Sequence, residues 1–432
     1  MTGHAAAPPE DKRPRRLPSP AGESAPSARD PQAALARNIP VISVTAAFAS
    51  TWYLAWSPVL PLLLGQRDAP ATAIAVTFAL VNIGTAFAQY FGGRLADRIG
   101  IRRVIGWTGV TLGFTWLGMA AVSREWLGLA LCYALGNTLF GLQSTAFITV
   151  VSDSVPTGRR LQAFSYYQFW SAASLVLGPI VGGLLLLPHL SPPMYLGATG
   201  LAYMSVGLMR LFVLREPRSL PAAARSPLTL RRLADAAAGG PDRRELLLLT
   251  CGVTLVFALT VNGPFIALAA HALDHLQPRV VELFFGVGPV GALAVSMLAP
   301  RLRGHRTSLV LGLWVLALAV AAMALPLGRL MLGASFLLAF AGFQAAQVGF
   351  STLRVQLAGQ ESVGEVLGAT SAIAGLGAFL GLMVAGLAGF RGGLLLGSGV
   401  ALVTAAWQWR IARPAGTRAD LRDLGWGRRA DS

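Results

Sequence analysis

The chain alternates long apolar runs with short polar breaks. Twelve runs are long enough to cross a bilayer as helices: residues 39–63, 71–91, 104–122, 126–150, 164–187, 194–214, 246–270, 279–300, 308–327, 330–351, 366–389 and 392–411. About 20 apolar residues in helical form span the hydrocarbon core, and a helix satisfies its own backbone groups there. We number these runs spans 1 to 12. One polar interval, 215–245, is much longer than the others and is rich in proline, glycine and arginine, including Pro217, Pro221, Pro227, Gly239 and Gly240. That composition predicts a linker between two six-helix halves.

The pattern predicts an all-α integral membrane protein of two pseudo-symmetric bundles. Its parts are a disordered tail over 1–38, a first bundle over 39–214, the linker over 215–245, a second bundle over 246–413 and a tail over 414–432. Composition agrees: 54% of residues are hydrophobic and 12% charged, about half the charge of a soluble domain. The first 38 residues lack the apolar core of a signal peptide.

The formal charge of +16 suggests nucleic acid until its distribution is considered. With twelve spans both termini share one side. Of the 35 basic residues only Arg67, Arg124, Arg279, Arg329 and Arg391 fall on the other, which leaves 30 on the side of the termini. Basic loops stay in the cytoplasm, so the excess is a topology signal. It predicts cytoplasmic termini in a plasma membrane and excludes nucleic acid as a partner. Cys132 and Cys251 lie in separate apolar runs and read as packed thiols.

The halves match at an offset of 203 residues. "LADRIGIRR" at 95–103 lies over "LAPRLRGHR" at 298–306. Ser174, Gly178 and Gly182 lie over Gly377, Gly381 and Ala385, small residues one helical turn apart that allow close helix approach. Internal duplication of six spans marks several transporter folds, with the site where the halves meet.

The densest charge lies between spans 2 and 3, at Gly93, Leu95, Asp97, Arg98, Gly100, Ile101, Arg102 and Arg103. This stretch resembles the glycine–aspartate–basic loop of the major facilitator superfamily, with Ile101 where a basic residue is usual. The resemblance covers about 39–411 and implies alternating access, with bacterial drug exporters as the nearest type. It implies that Gly93, Asp97, Arg98, Gly100, Arg102 and Arg103 form a conformational latch. In it Asp97 meets the positive N-terminus of span 11 while the cytoplasmic side is closed. The second copy has Pro300 in place of the acid. Pro179, in "LGPIVGG" at 177–183, resembles the glycine–proline motif of span 5. With Gly178, Gly182, Gly377 and Gly381 it forms the expected helix-packing set. Glu216, in "LREPR" at 214–218, is open to pairing with Arg159 or Arg160, or to solvation.

Polar and aromatic residues at mid-span are the candidate cargo contacts: Trp52, Tyr53, Trp56, Asn82, Asn137, Trp170, Asn262 and Gln344. Buried amides turn away from lipid, either to line a cavity or to bond neighbouring helices. No span centre carries a carboxylate. Glu282 lies one turn inside span 8, where Arg279 at i−3 is its expected partner. Proton coupling is therefore in doubt, although protons stay among the candidate partners with lipid and a small-molecule cargo. The expected cargo is neutral, amphipathic or cationic. "HALDH" at 271–275 falls short of a metal site, and neither a nucleotide loop nor a nucleophile–base pair appears. We expect no cofactor, no enzyme activity and a monomer. Beside an exporter, two readings stay open: a facilitator or importer of a neutral solute, and a non-transporting sensor or assembly protein.

Overall fold

The computed structural model describes residues 36–155, 160–216, 241–298, 304–326, 328–358 and 363–412, and all regular structure among them is helical. Among the described residues, eleven helical segments are long and apolar enough to cross a membrane, from Asn38–Gly65 to Gly389–Ile411. The remaining crossing, span 7, is broken into two helices, Pro241–Leu259 and Phe265–Asp274. The architecture is that of twelve spans.

The duplication seen in the sequence is a duplication in space. In the first half span 3 packs on span 6, span 2 on span 4, and span 1 on span 5. In the second half span 9 packs on span 12, span 8 on span 10, and span 7 on span 11. The halves meet through two further pairs, span 2 with span 11 and span 5 with span 8, which exchange under the same six-span repeat. Small residues permit these approaches. A Cβ on Gly109 would lie 2.8 Å from the Gly207 Cα, so spans 3 and 6 touch backbone to backbone.

Spans 1 and 7 are both discontinuous, and the sequence pattern had suggested each to be continuous. Span 1 runs Asn38–Leu54, a 3₁₀ turn Ser57–Val59, then Leu60–Gly65. Pro58 and Pro61 lack an N–H and so break the ladder. Span 7 breaks between Leu259 and Phe265, before Pro264. Pro61 and Pro264 stand at the repeat offset of 203, so the break belongs to the duplication. Span 5 bends instead. Pro179 lies inside Arg160–Val181, followed by a π-helical turn Gly182–Leu186.

Span 2 is longer than its apolar run. It continues as helix Ala71–Ile99 through Arg94, Asp97 and Arg98, so most of the charged motif is helical and the turn is Gly100 alone. Gly100 has φ +94°, a conformation that favours glycine. The close approach to span 4 falls on Gly92, where a Cβ would lie 2.5 Å from the Leu142 carbonyl. Gly93 and the side chain of Asp97 lie outside the described residues.

Two bundle boundaries move. Asn38, placed in the tail by its sequence, is 1% exposed and belongs to the bundle. Its amide donates to the Arg215 carbonyl (2.9 Å) and to Ser154 Oγ (3.3 Å), and its Oδ1 accepts the Arg215 N–H (3.0 Å). This clasp ties the start of span 1 to the ends of spans 4 and 6. Residues 217–240 of the linker lie outside the described residues, whereas 241–245 already form the first turn of span 7. The acids flanking the linker dock on matching loops. Glu216 accepts the backbone N–H groups of Ile101 (2.6 Å) and Arg102 (3.1 Å), capping span 3. Glu245 forms an ion pair with Arg306 at 2.9 Å, close in distance but not aligned as a hydrogen bond. Arg159 and the side chain of Arg160, the expected partners of Glu216, lie outside the described residues.

Candidate functional site

A cavity of about 530 Å³ lies between the halves. Its wall is drawn from both sides of the duplication. The break in span 1 contributes Ser57, Pro58 and Pro61, and the break in span 7 contributes Val261, Asn262 and Gly263. Discontinuous helices at the repeat interface are a recurrent way to expose backbone polar groups to a ligand inside a membrane.

Three prolines stand on the wall. Pro58, Pro179 and Pro289 have no N–H to give to the carbonyls four residues earlier, at Leu54, Leu175 and Phe285. All six residues line the cavity. The carbonyls of Leu175 and Phe285 therefore lack their usual helical donor, and that of Leu54 stands at the end of its helix.

Of the eight candidate cargo contacts, four line this cavity: Tyr53, Asn82, Asn137 and Asn262. Tyr53 and Asn137 form one network with Tyr133. The Tyr53 hydroxyl lies 3.0 Å from both the Tyr133 hydroxyl and Asn137 Oδ1. Asn137 Nδ2 donates to the Tyr133 carbonyl at 2.9 Å, and Thr85 Oγ1 to the Asn137 carbonyl at 3.2 Å. Spans 1, 2 and 4 are thereby held at one level. Asn82 Nδ2 donates to the Phe78 carbonyl at 2.9 Å, within its own helix. Phe78, Phe140, Phe285 and Phe340 supply the apolar wall, and no Asp, Glu, Lys or Arg lines it among the described residues.

The other four candidates sit elsewhere. Trp56 is 1% exposed in the core of the first half. Its Nε1–H donates to Thr199 Oγ1 at 3.1 Å, and its ring meets Tyr53 and Trp116 edge-on. Trp52 packs on the same core. The Trp170 ring meets Tyr166 and Phe169 edge-on. Gln344 Nε2 donates to Ser296 Oγ at 3.0 Å, joining spans 10 and 8. Gln143, a further mid-span amide, donates to the Ile105 carbonyl at 2.8 Å and is helix–helix glue.

The packing glycines divide too. Cβ atoms on Gly178 and Gly182 would strike the backbone of span 1 at Thr51 and Ala55, and one on Gly381 would meet Leu255 of span 7. Gly377 has nothing within 4 Å and is not a packing glycine. A pair absent from that set, Gly183 and Gly386, stands at the offset of 203 and joins the halves. A Cβ on Gly183 would lie 2.7 Å from Leu283 Cγ and 2.9 Å from the Arg279 carbonyl, and one on Gly386 would meet Ala75. Tyr133 and Pro289 were also missed. A tyrosine one turn before Asn137 and a proline in mid-span were the available signals.

Glu282 differs most from expectation. It is 0% exposed, and neither carboxylate oxygen has a hydrogen-bond partner, Arg279 included. The Tyr195 phenol lies close enough to interact electrostatically with both Glu282 and Arg67. Gly183 packs directly on its neighbours Arg279 and Leu283, so the acid sits beside the seam between the halves. At the end of span 7, His271 Nδ1 contacts the Leu276 carbonyl at 2.7 Å, and Asp274 Oδ1 accepts the Gly328 N–H at 2.9 Å. No cluster of three or more metal-ligating side chains occurs among the described residues.

Known proteins carry the same pattern. Residues 41–381 match the family model described as Major Facilitator Superfamily. The multidrug resistance protein MdtL of Salmonella heidelberg is 27% identical over 210 residues, 48% of this chain and about half (51%) of MdtL. The quinolone resistance protein NorA of Staphylococcus aureus is 21% identical over 336 residues, 76% of this chain and 84% of NorA. The solved nucleoside transporter NupG superposes with a TM-score of 0.67 at 14% identity, covering 87% of this chain and 99% of its own. A peptide transporter, POT, superposes with a TM-score of 0.69 at 16% identity, over 87% and 94% of the two chains. At such identities these two structures establish the fold alone. The family match spans most of the chain and agrees with the duplicated bundles: this multi-pass membrane protein belongs to the Major Facilitator Superfamily and is a transporter.

Proposed function

We propose that the protein is a secondary active transporter of the plasma membrane that works by alternating access and exports small hydrophobic or amphipathic compounds. The observation that carries this reading is the uncharged central cavity. Its volume falls in the range of small-molecule sites, about 300–1,000 Å³. Its wall of phenylalanines, amides and a tyrosine network suits a cargo held by apolar area and a few hydrogen bonds. MdtL and NorA, named for multidrug and quinolone resistance, lend support.

In this reading the structure represents the state closed at the far face, opposite the linker. The glycine seams at Gly183 and Gly386 lie toward that face and bring the halves into contact there. Asp97, with Arg98, Gly100, Arg102 and Arg103, acts as the latch of the opposite state. It engages the N-terminus of span 11 when the linker side closes. The termini and linker face the cytoplasm.

The test is efflux of a fluorescent hydrophobic cation, ethidium, from cells and proteoliposomes. Expression is expected to lower accumulation. Tyr53→Phe combined with Asn137→Ala breaks the network on the wall, and at about 1 kcal/mol for each lost bond should slow efflux about fivefold or more. Efflux of the wild-type protein no faster than that of an empty vesicle, or no change in the double variant, refutes the reading.

A further inference from the structure

Arg210 lies in the last turn of span 6, and its side chain is 1% exposed. Its Nε–H donates to Thr45 Oγ1 at 2.9 Å, and its guanidinium carbon lies 4.8 Å from the centre of the Phe147 ring. A guanidinium carries five N–H donors; the other four have no described acceptor. Removing such a cation from water without a counter-charge costs more than one aromatic contact returns.

A second cavity of about 60 Å³ abuts this side chain, enclosed by spans 1, 4, 5 and 6. Its polar wall is Arg210, Ser50, Gln143, Tyr167, Ser171 and Tyr203. Gln143 is engaged with the Ile105 carbonyl. The four hydroxyls have no described hydrogen-bond partner, and no Asp or Glu lines the cavity among the described residues. The site is thus a fixed cation ringed by groups able to donate, with no acid lining it among the described residues. At about 30 Å³ for one water in the liquid, it has room for a halide or a carboxylate group. Phe140 lines both this annex and the central cavity, so the two are neighbours.

We propose that the annex binds one small monovalent anion, with Arg210 as its charge partner and the Tyr167, Tyr203 and Ser171 hydroxyls as donors. The anion is either a free halide or the acidic end of a cargo molecule whose body occupies the central cavity. Binding is measured without transport, so this proposal and the exporter reading can fail separately.

The experiment is thermal unfolding of the purified full-length protein in lipid nanodiscs. Sodium chloride or sodium acetate replaces sodium isethionate at constant ionic strength. In the wild-type protein either anion should raise Tm saturably, by about 3 °C or more. Stabilisation by chloride alone assigns a resident halide. Stabilisation by both, with competition between them, assigns a subsite that takes a carboxylate. Arg210→Gln should abolish the dependence. If that variant does not fold, Tyr203→Phe with Ser171→Ala keeps the arginine and should raise the half-saturating concentration about tenfold. A wild-type Tm indifferent to both anions overturns the proposal. So does an unchanged anion dependence in the folded variants.

Discussion

The seam between the halves yields the sharpest prediction, Gly183→Ala. The added methyl would lie 2.7 Å from Leu283 Cγ and 2.9 Å from the Arg279 carbonyl. A leucine side chain can turn aside, but a backbone carbonyl moves only with its helix. Span 8 must therefore retreat from span 5. Overpacking of this kind costs about 1–3 kcal/mol. In a state open at the far face these span ends separate, and the methyl meets nothing. The cost falls on the far-closed state alone and should shift the balance toward far-open about 5- to 150-fold. Gly377→Ala is the control, an alanine in a membrane helix with no atom within 4 Å of its methyl. After Cys132 and Cys251 are replaced by serine, spin labels at Arg124, in the turn after span 3, and Arg329, in the first turn of span 10, both exposed, report the separation of the halves by electron double resonance. A longer-distance population should grow in Gly183→Ala and not in Gly377→Ala. If the two variants give the same distribution, close packing at Gly183 does not set the closed state.

Three further outcomes are expected. In the proposed latch, Asp97→Asn removes a contact between an anion and a helix end worth about 1–2 kcal/mol. It should favour the linker-side-open state about five- to thirtyfold and slow turnover; unchanged distances between labels at Arg37 and Arg410, together with intact transport, would make Asp97 only a topology marker. Glu282→Gln should keep most transport, because the acid makes no hydrogen bond and lies off the cavity wall, whereas Glu282→Met should stabilise the far-closed state by about 1–3 kcal/mol and lengthen its lifetime in the same label assay. Complete loss of transport in Glu282→Gln would place a proton site there. Ser226→Cys should resist an impermeant thiol reagent applied to intact cells, and labelling from outside would invert the topology.

Much of the fold was legible because a membrane leaves few choices. Length, apolarity and charge placement fixed twelve crossings within a few residues at most ends. The offset of 203 foretold which helices are related, and Gly100 stood where the backbone needs positive φ. Discontinuity was less legible. Pro58, Pro61 and Pro264 were visible, but hydropathy passes over a break whose flanks are equally apolar. The amides divided as physics allows: Asn137 and Asn262 reach the cavity while Gln143 and Gln344 bridge helices, and only the packing of a second helix decides between them. Arg210 escaped notice because an arginine near a span end ordinarily snorkels to the interface. Here span 6 turns it inward, onto Thr45 and Phe147.

Alternating access requires two states separated by only a few kcal/mol, since a deep minimum on either side would halt the cycle. The far-face seam contains terms of both signs. Gly183 lets the halves approach to backbone contact and Gly386 admits the Ala75 side chain, which favours closure. Glu282, sealed beside Gly183 with both oxygens unpaired, opposes it, because opening the face would return the carboxyl group to water. An apolar side chain there would pack as well and carry no such penalty. On this account the buried acid is a counterweight to the glycine seam. The two terms are of similar size, about 1–3 kcal/mol each. Removing either moves the equilibrium in opposite directions, and Glu282→Met placed on Gly183→Ala should bring it back toward the wild-type balance.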